Sequence, residues 1–335
     1  MNSMTITLRP VGIVGLGSYL PEERVTNADL TKIVDTTEEW ILQRTGIEER
    51  RRASVAEAAS DLGTQAALKA LEDAKTKPEE VDLIIVATVT PDMFFPSTAC
   101  IIQNNIGAVN AAAFDASAAC SGFLYGLAMG SQFVATGMYD TVLVIASETL
   151  TKIMNMEDRT TCILFGDGAG AAVLKPVEEG EGFLSFYLGA DGSGGELLKL
   201  PAGGSRKPAT KETVENKEHY IQMSGNEVFK FAVKVMGDAA LKALEKAGLS
   251  KEDVDYLVPH QANTRIIDSA VKRLGLSPDK VYVNLHKYGN MSGASIPVAL
   301  DEAVKEGKIK KGDHVVLVGF GAGLTWGSCV MKWSK

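Results

Sequence analysis

Residues 67–84 read ALKALEDAKTKPEEVDLI, and residues 240–257 read ALKALEKAGLSKEDVDYL. Ten of these eighteen positions are identical at a constant offset of 173, about half of the 335-residue chain. An echo at that period is a duplicated unit and not a short solenoid repeat, so the fold must be built from two similar halves. The same offset sets TVLVIAS (141–147) over HVVLVGF (314–320). Apart from Thr141, Ser147 and His314 at their ends, both runs are apolar throughout, as expected of strands covered on both faces. In the first half, helices at 58–74 and 121–136 alternate with strands at 81–89, 112–118 and 141–147. In the second, helices at 226–247, 263–274 and 294–306 alternate with strands at 254–260, 281–286 and 314–320. The pattern predicts an α/β protein with mostly parallel sheets. The halves divide at 1–180 and 181–335. Residues 189–219 are rich in Gly, charge and turn formers and read as a surface loop at the junction.

Composition narrows the function. Hydrophobic residues are 45% and charged residues 23%, which is ordinary globular usage and excludes wholesale disorder. A net charge of -8 argues against a general nucleic-acid binder. No apolar run is long enough to span a membrane. The opening MNSMTITLRP lacks a basic stretch followed by a long apolar one, so no secretory signal is expected; Met1 and Met4 both remain open as the start. The four cysteines, Cys100, Cys120, Cys162 and Cys329, form no CxxC pair and suggest neither a disulfide scaffold nor a structural metal site. The expectation is a reduced, cytoplasmic, soluble protein without a metal.

Three positions stand at strand-to-helix corners. Cys120, in FDASAACSGFLYGLAMG, follows a strand and precedes a nearly all-apolar helix. Small neighbours allow a tight turn, and a helix N-terminus favours a thiolate. The competing reading is a buried structural cysteine, which is how most free cysteines behave. The other three cysteines lack this setting and are expected in the core. His260, in VDYLVPHQANTRII, projects from the C-terminal end of a strand, the edge where open α/β sheets bind ligands; a histidine satisfied within a loop reads equally well. Asn290, in HKYGNMSGAS, is by itself a turn residue, but it shares the corner geometry of the other two. Of the glycine clusters, GIVGLGSYLP is rejected as a dinucleotide loop because Pro21 follows in place of a helix. FGDGAGAAVL (165–174) allows close approach of a ligand or a tight turn. GFGAGLTWG (319–327) is placed to offer a backbone N–H to an oxyanion.

With these pieces placed, the chain closely resembles the β-ketoacyl-acyl carrier protein synthase III family. The resemblance runs from GIVGLGSYLPEERVTNADL through DTTEEWILQRTGI, FDASAACSGF, DRTTCILFGDGAGAAVL, VPHQANTRII and HKYGNMSGASIPVALDEAV to GFGAGLTWG. It implies a thiolase-like fold of two halves forming a five-layered αβαβα core. It implies a Cys120-His260-Asn290 triad that condenses acetyl-CoA, or another short acyl-CoA, with malonyl-acyl carrier protein through an acyl-Cys120 intermediate. The products would be acetoacetyl-acyl carrier protein, CoA and CO₂, with no cofactor besides the substrates. Oxyanion donors would be the backbone amides of Cys120 and of Ala322 or Gly323; family members often carry Gly-Gly-Gly where this chain has Gly321-Ala322-Gly323. CoA contacts map to Thr36, Trp40, Arg44, Arg159 and Asn263, with Trp40 and Arg159 sandwiching the adenine. The acyl pocket maps to Leu164, Phe165 and Phe95, the last reaching in from the partner subunit of a homodimer. The acidic carrier protein would dock on Lys230, Lys234, Arg265, Lys272 and Arg273. Competing readings are a hydroxymethylglutaryl-CoA synthase or a thiolase of the same fold, a Cys-His thioesterase, and a CoA- or carrier-protein-binding scaffold. A thiolase would need a second catalytic cysteine, for which Cys329 sits on an apparent core strand.

Overall fold

A computed structural model describes residues 8–335; Met1 and Met4 lie outside the described residues. The first sheet holds five strands, β1 (Val11–Tyr19), β2 (Leu83–Ala87), β3 (Ala112–Ala116), β4 (Val142–Thr149) and β5 (Asp167–Pro176), in the order β1-β5-β4-β2-β3. The second holds β6 (Gly182–Ala190), β7 (Tyr256–Pro259), β8 (His314–Gly321) and β9 (Thr325–Lys332), in the order β6-β9-β8-β7. The two orders match element for element, except that the second sheet ends one strand early. The expected strand at 281–286 is the missing one. Only Val281 bridges to Leu257, and Leu285–Tyr288 turns into a short helix.

The expectation of mostly parallel sheets also fails. In the first sheet β2 runs parallel to β3 and β4, while β5 is antiparallel to both its neighbours. In the second sheet only β7 and β8 are parallel. The returning strands β5 and β9 read as apolar runs like the others, and composition does not reveal direction. The expected loop at 189–219 contains a 3-10 turn (Gly192–Leu197), a two-residue strand paired with Gln222–Met223, and a short helix (Lys211–Glu215).

Five layers follow from where the apolar side chains point. Along β4, Val142, Val144 and Ala146 face a central core, while Leu143 and Ile145 face an outer one. Strand β8 splits the same way, with Val315 and Leu317 central and Val316 and Val318 outer. This period-two division explains strands that are apolar throughout. After helix α1 (Glu38–Thr45), helices α2 (Ala59–Asp73) and α3 (Thr98–Ile106) cover the first sheet, and α5 (Gly225–Ala247) with α6 (Thr264–Leu274) covers the second. Between the sheets lie α4 (Gly122–Ala135) and α7 (Ser295–Lys305). Both belong to the central core, which is why the sequence of α4 is apolar on nearly every face.

Each central helix enters through a 3-10 turn, Ala119–Ser121 for α4 and Ser292–Ala294 for α7, again 173 residues apart. Ala119 (φ 45°) and Ser292 (φ 47°) both hold left-handed backbone without being glycine. The glycine-rich run at 165–174 lies largely on β5, and its purpose is packing. A Cβ on Gly170 would stand 2.7 Å from Pro297 Cβ of α7 and 3.0 Å from the Val298 nitrogen. The close approach seats a helix of the second half on the sheet of the first. Gly170→Ala is therefore expected to lose about 1–3 kcal/mol of stability through overpacking, read as a lower denaturant midpoint at unchanged slope.

Candidate active site

Cys120, His260 and Asn290 line one cleft of about 540 Å³. Each is buried, and each is placed by a different element. Cys120 sits in the turn that starts α4 and is 7% exposed. The end of β8 runs directly over it: a Cβ on Gly321 would lie 2.5 Å from the Cys120 nitrogen. Glycine is required there by contact. Thr325 ties the hairpin of the second half to this turn, with its hydroxyl 2.7 Å from Ser121 Oγ and donating to Ala118 O at 3.1 Å.

Burial pushes the Cys120 thiol up to about 12. The thiolate expected at neutral pH from the helix N-terminus is therefore not the resting state. The thiol sits within the 3-10 turn that precedes α4, and loss of water outweighs the dipole. Cys162 and Cys329 are buried as expected. Cys100 corrects the expectation: it is exposed on α3, with its Sγ donating to Ala113 O of the edge strand β3 at 3.8 Å.

His260 follows β7, and its amide donates to Val318 O at 2.8 Å, extending the pairing with β8. Its ring is fully buried, lies edge-on to Phe320 at 5.8 Å between centroids, and has no hydrogen-bond partner at either nitrogen. Burial lowers it to about 3, so the imidazole is neutral. Asn290 is held by its backbone: its N–H donates to Leu164 O at 2.9 Å and its carbonyl accepts from Gly166 N at 3.0 Å. Its side-chain Oδ1 accepts from Ser292 N at 2.8 Å. With the carbonyl end occupied, the Nδ2 end is free to donate into the cleft.

The remaining predicted positions divide. Leu164 and Phe165 line the cleft, and Phe165 also lines a smaller apolar cavity of about 160 Å³ that opens at Cys120 beside Ala322, Leu150 and Ile221. Phe95 reaches neither cavity of its own chain; it is 85% exposed beside Phe94 at 79%. Trp40, Arg44 and Asn263 line the outer cleft. The Arg44 and Arg159 guanidinium groups lie 5.5 and 5.3 Å from the Trp40 ring centroid. Arg159 thus rests on the indole itself, and a ring entering between them must push the pair apart. Asn263 caps α6 by accepting from Arg265 N at 2.9 Å, and donates to Arg44 O at 2.8 Å. Thr36 is half-buried with an unpartnered hydroxyl and does not line the cleft. Lys230, Lys234, Arg265, Lys272 and Arg273 are all exposed, on the neighbouring helices α5 and α6. Arg273 pairs with Asp238 at 3.0 Å, which leaves less free charge than the expected patch.

Sequence reasoning missed three supports. Gln261, fully buried, donates to Pro259 O and Tyr282 O and accepts from Asn284 N and Leu285 N, at 2.8 to 3.2 Å. It stitches the His260 strand to the segment leading to Asn290, where the first half has a paired strand. Arg50 is buried and donates to Val25 O, Asn27 Oδ1 and Ile163 O, tying down the segment that holds Asn290. Glu148 is buried at the end of β4. The one visible signal was a lone acid ending an apolar strand.

Because His260 is buried neutral, its lowered value has a sign for stability. Its contribution is complete above pH 6.5 and is lost as pH falls toward about 3, where the unfolded chain binds a proton that the folded one excludes. The ring resonances of His260 are expected to stay those of a neutral imidazole from about pH 8 to about pH 5. An NMR titration with a midpoint near the unperturbed value would contradict this placement.

Family comparison agrees with this geometry. Residues 114–192 match the model for 3-oxoacyl-[acyl-carrier-protein] synthase III, and residues 244–333 match the model for its C-terminal part. A beta-ketoacyl-[acyl-carrier-protein] synthase III from Caldanaerobacter subterraneus subsp. tengcongensis is 65% identical over 97% of this chain and 98% of its own. The crystal structure of the synthase III from Thermus thermophilus is 49% identical, with a TM-score of 0.90 over 96% of this chain and 99% of that one. A priming beta-ketosynthase from the R1128 polyketide biosynthetic pathway is 37% identical, with a TM-score of 0.91 over 100% and 99%.

Proposed function

The chain belongs to the β-ketoacyl-acyl carrier protein synthase III family of acyltransferases, and from that premise we propose that Cys120, His260 and Asn290 carry out its initiating condensation in fatty acid synthesis. The observation that carries the assignment is the pairing of two free, neutral, buried donors with one buried thiol in a single cleft. Cys120 attacks the thioester of a short acyl-CoA, and CoA leaves. Malonyl-acyl carrier protein then binds and loses CO₂. The enolate oxygen that forms is stabilised by an N–H of His260 and the Nδ2 of Asn290, and its carbon attacks the acyl carbonyl. A neutral imidazole suits that task, since it donates without first having to be charged. The amides of Cys120 and of the Ala322-Gly323 hairpin serve the acyl oxyanion.

The apolar cavity beside Cys120 takes the acyl group, and its small volume favours a short primer such as acetyl. The exposed Phe94 and Phe95 support a homodimer in which Phe95 closes the partner's cavity. Trp40, Arg44 and Asn263, with Arg159 resting on the indole, form the CoA entrance. Free cysteines suit a reducing cytoplasm, and no helix among the described residues is long and apolar enough to cross a membrane. A thioesterase reading loses its general base, because burial strips His260 of basicity.

Mass spectrometry after acetyl-CoA, and then after malonyl-acyl carrier protein, tests the assignment. Cys120→Ser is expected to show no acetyl group. His260→Ala and Asn290→Ala are expected to acetylate normally and to condense about 10²–10³-fold more slowly; condensation at an unchanged rate would remove their donor roles. The exposed cations of α5 form the carrier-protein surface. The double variant Lys230→Glu, Lys234→Glu should raise KM for malonyl-acyl carrier protein about tenfold and leave acetylation by acetyl-CoA unchanged.

A further inference from the structure

One carboxylate outside the cleft grips both ends of the short helix that leads to Asn290. Tyr288 OH donates to Glu302 Oε1 at 2.5 Å, and Asn284 Nδ2 donates to Glu302 Oε2 at 2.8 Å. Asn284 immediately precedes the helix Leu285–Tyr288, and Tyr288 is its last residue. Each oxygen of Glu302 therefore holds one end. Tyr282 OH also faces Oε2, at 3.3 Å, but lies nearer to Glu306 Oε1, at 2.8 Å. Glu302 belongs to α7, does not line the cleft, and has no part in the chemistry above.

Both donors are buried, Asn284 at 1% and Tyr288 at 8% exposure. Burial and the neighbouring carboxylate push the Tyr288 phenol well above its ordinary value, so its hydroxyl remains a donor. Among the described residues, neither the phenol nor Nδ2 has a second acceptor. Loss of the carboxylate would leave both donors desolvated and unpaired, and the segment would have to shift to satisfy them.

The clasp has a firm base. Asp301, next to Glu302, accepts from Ser18 Oγ of β1 at 2.5 Å and from Lys305 Nζ at 2.8 Å. Pro297 of the same helix is seated against Gly170. The route from Tyr288 to Asn290 is equally tight. Gly289 holds φ 67°, its N–H donates to Leu285 O at 2.8 Å, and a Cβ on it would stand 2.9 Å from Leu164 O. A displaced Tyr288 therefore displaces Asn290. The other two site residues are held elsewhere, Cys120 in the turn beneath Gly321 and His260 by the pairing of its amide with Val318 O.

We propose that Glu302 is a positioning residue for Asn290, clasping the helix Leu285–Tyr288 so that Nδ2 donates toward the enolate oxygen. The proposal rests on the donor role of Asn290 in condensation. It assigns Glu302 to the second half-reaction alone, because acyl transfer to Cys120 does not use that donor.

Acetylation of Cys120 by acetyl-CoA and condensation with malonyl-acyl carrier protein, measured separately, test this. Glu302→Ala should acetylate at the unaltered rate and lose about a hundredfold in kcat for condensation, with KM for malonyl-acyl carrier protein unchanged, since a displacement on the order of 1 Å costs that much. Tyr288→Phe keeps the ring and removes one of the two bonds, so it should show the same split at about tenfold. It decides the question if Glu302→Ala fails to fold. In an Asn290→Ala background, Glu302→Ala should cost less than about twofold more, because two residues acting through one donor are not additive. Condensation by both single variants at the unaltered rate would overturn the clasp. So would an equal loss in both half-reactions, or a fully additive loss in the Asn290→Ala background, since each is the mark of a merely structural role. Condensation by Asn290→Ala itself at the unaltered rate would instead overturn the donor reading, and the clasp with it.

Discussion

Everything in this molecule depends on taking the central helices α4 and α7 out of water on all sides. Their burial closes the core between the two sheets, and it also sets the electrostatics of the cleft, because Cys120 lies in the turn that begins α4 and Asn290 just precedes the turn that begins α7. The same desolvation pushes the Cys120 thiol up, the His260 imidazole down and the Glu148 carboxyl up. These are three consequences of one cause. In the proposed reaction, a neutral imidazole and an amide donate hydrogen bonds to growing charge.

The two halves differ where the chemistry requires it. In the first, β2 and β3 pair over five residues and deliver the chain to the cysteine turn. In the second, pairing is reduced to one bridge, and the Gln261 side chain replaces the ladder with four hydrogen bonds. The chain from Asn284 onward is thereby freed to turn as a helix and to pair Asn290 with Phe165. A duplicated scaffold thus presents a nucleophile from one copy and the hydrogen-bond donors from the other.

Much of this was legible in the residues. The echo at 173 residues revealed the two halves, and helices α2, α4, α5, α6 and α7 begin and end within two residues of the expected positions. The corner positions of Cys120, His260 and Asn290 could be read because glycine, small residues and apolar runs mark a strand-to-helix junction. Strand direction could not be read, because apolar periodicity is the same for parallel and antiparallel neighbours. VYVNLH has the composition of a strand and lost that structure to the Gln261 side chain, a tertiary contact with no local signature. The state of the Cys120 thiol depends on the strand that crosses it from residue 321, two hundred positions away, and local motif reasoning had only the helix to consider.

The seating of Pro297 against Gly170 carries a historical implication. A helix of the second copy covers the sheet of the first, beside α4, which packs chiefly on β4 of its own sheet and touches the second sheet at its edge. The inner face of the first sheet is thus covered by one helix from each copy. The two copies implied by the echo therefore share one interior within a single chain, and each is free to change independently of the other. The present asymmetry, with sulfur on one side and donors on the other, is what a symmetric pair of identical chains had no means to evolve.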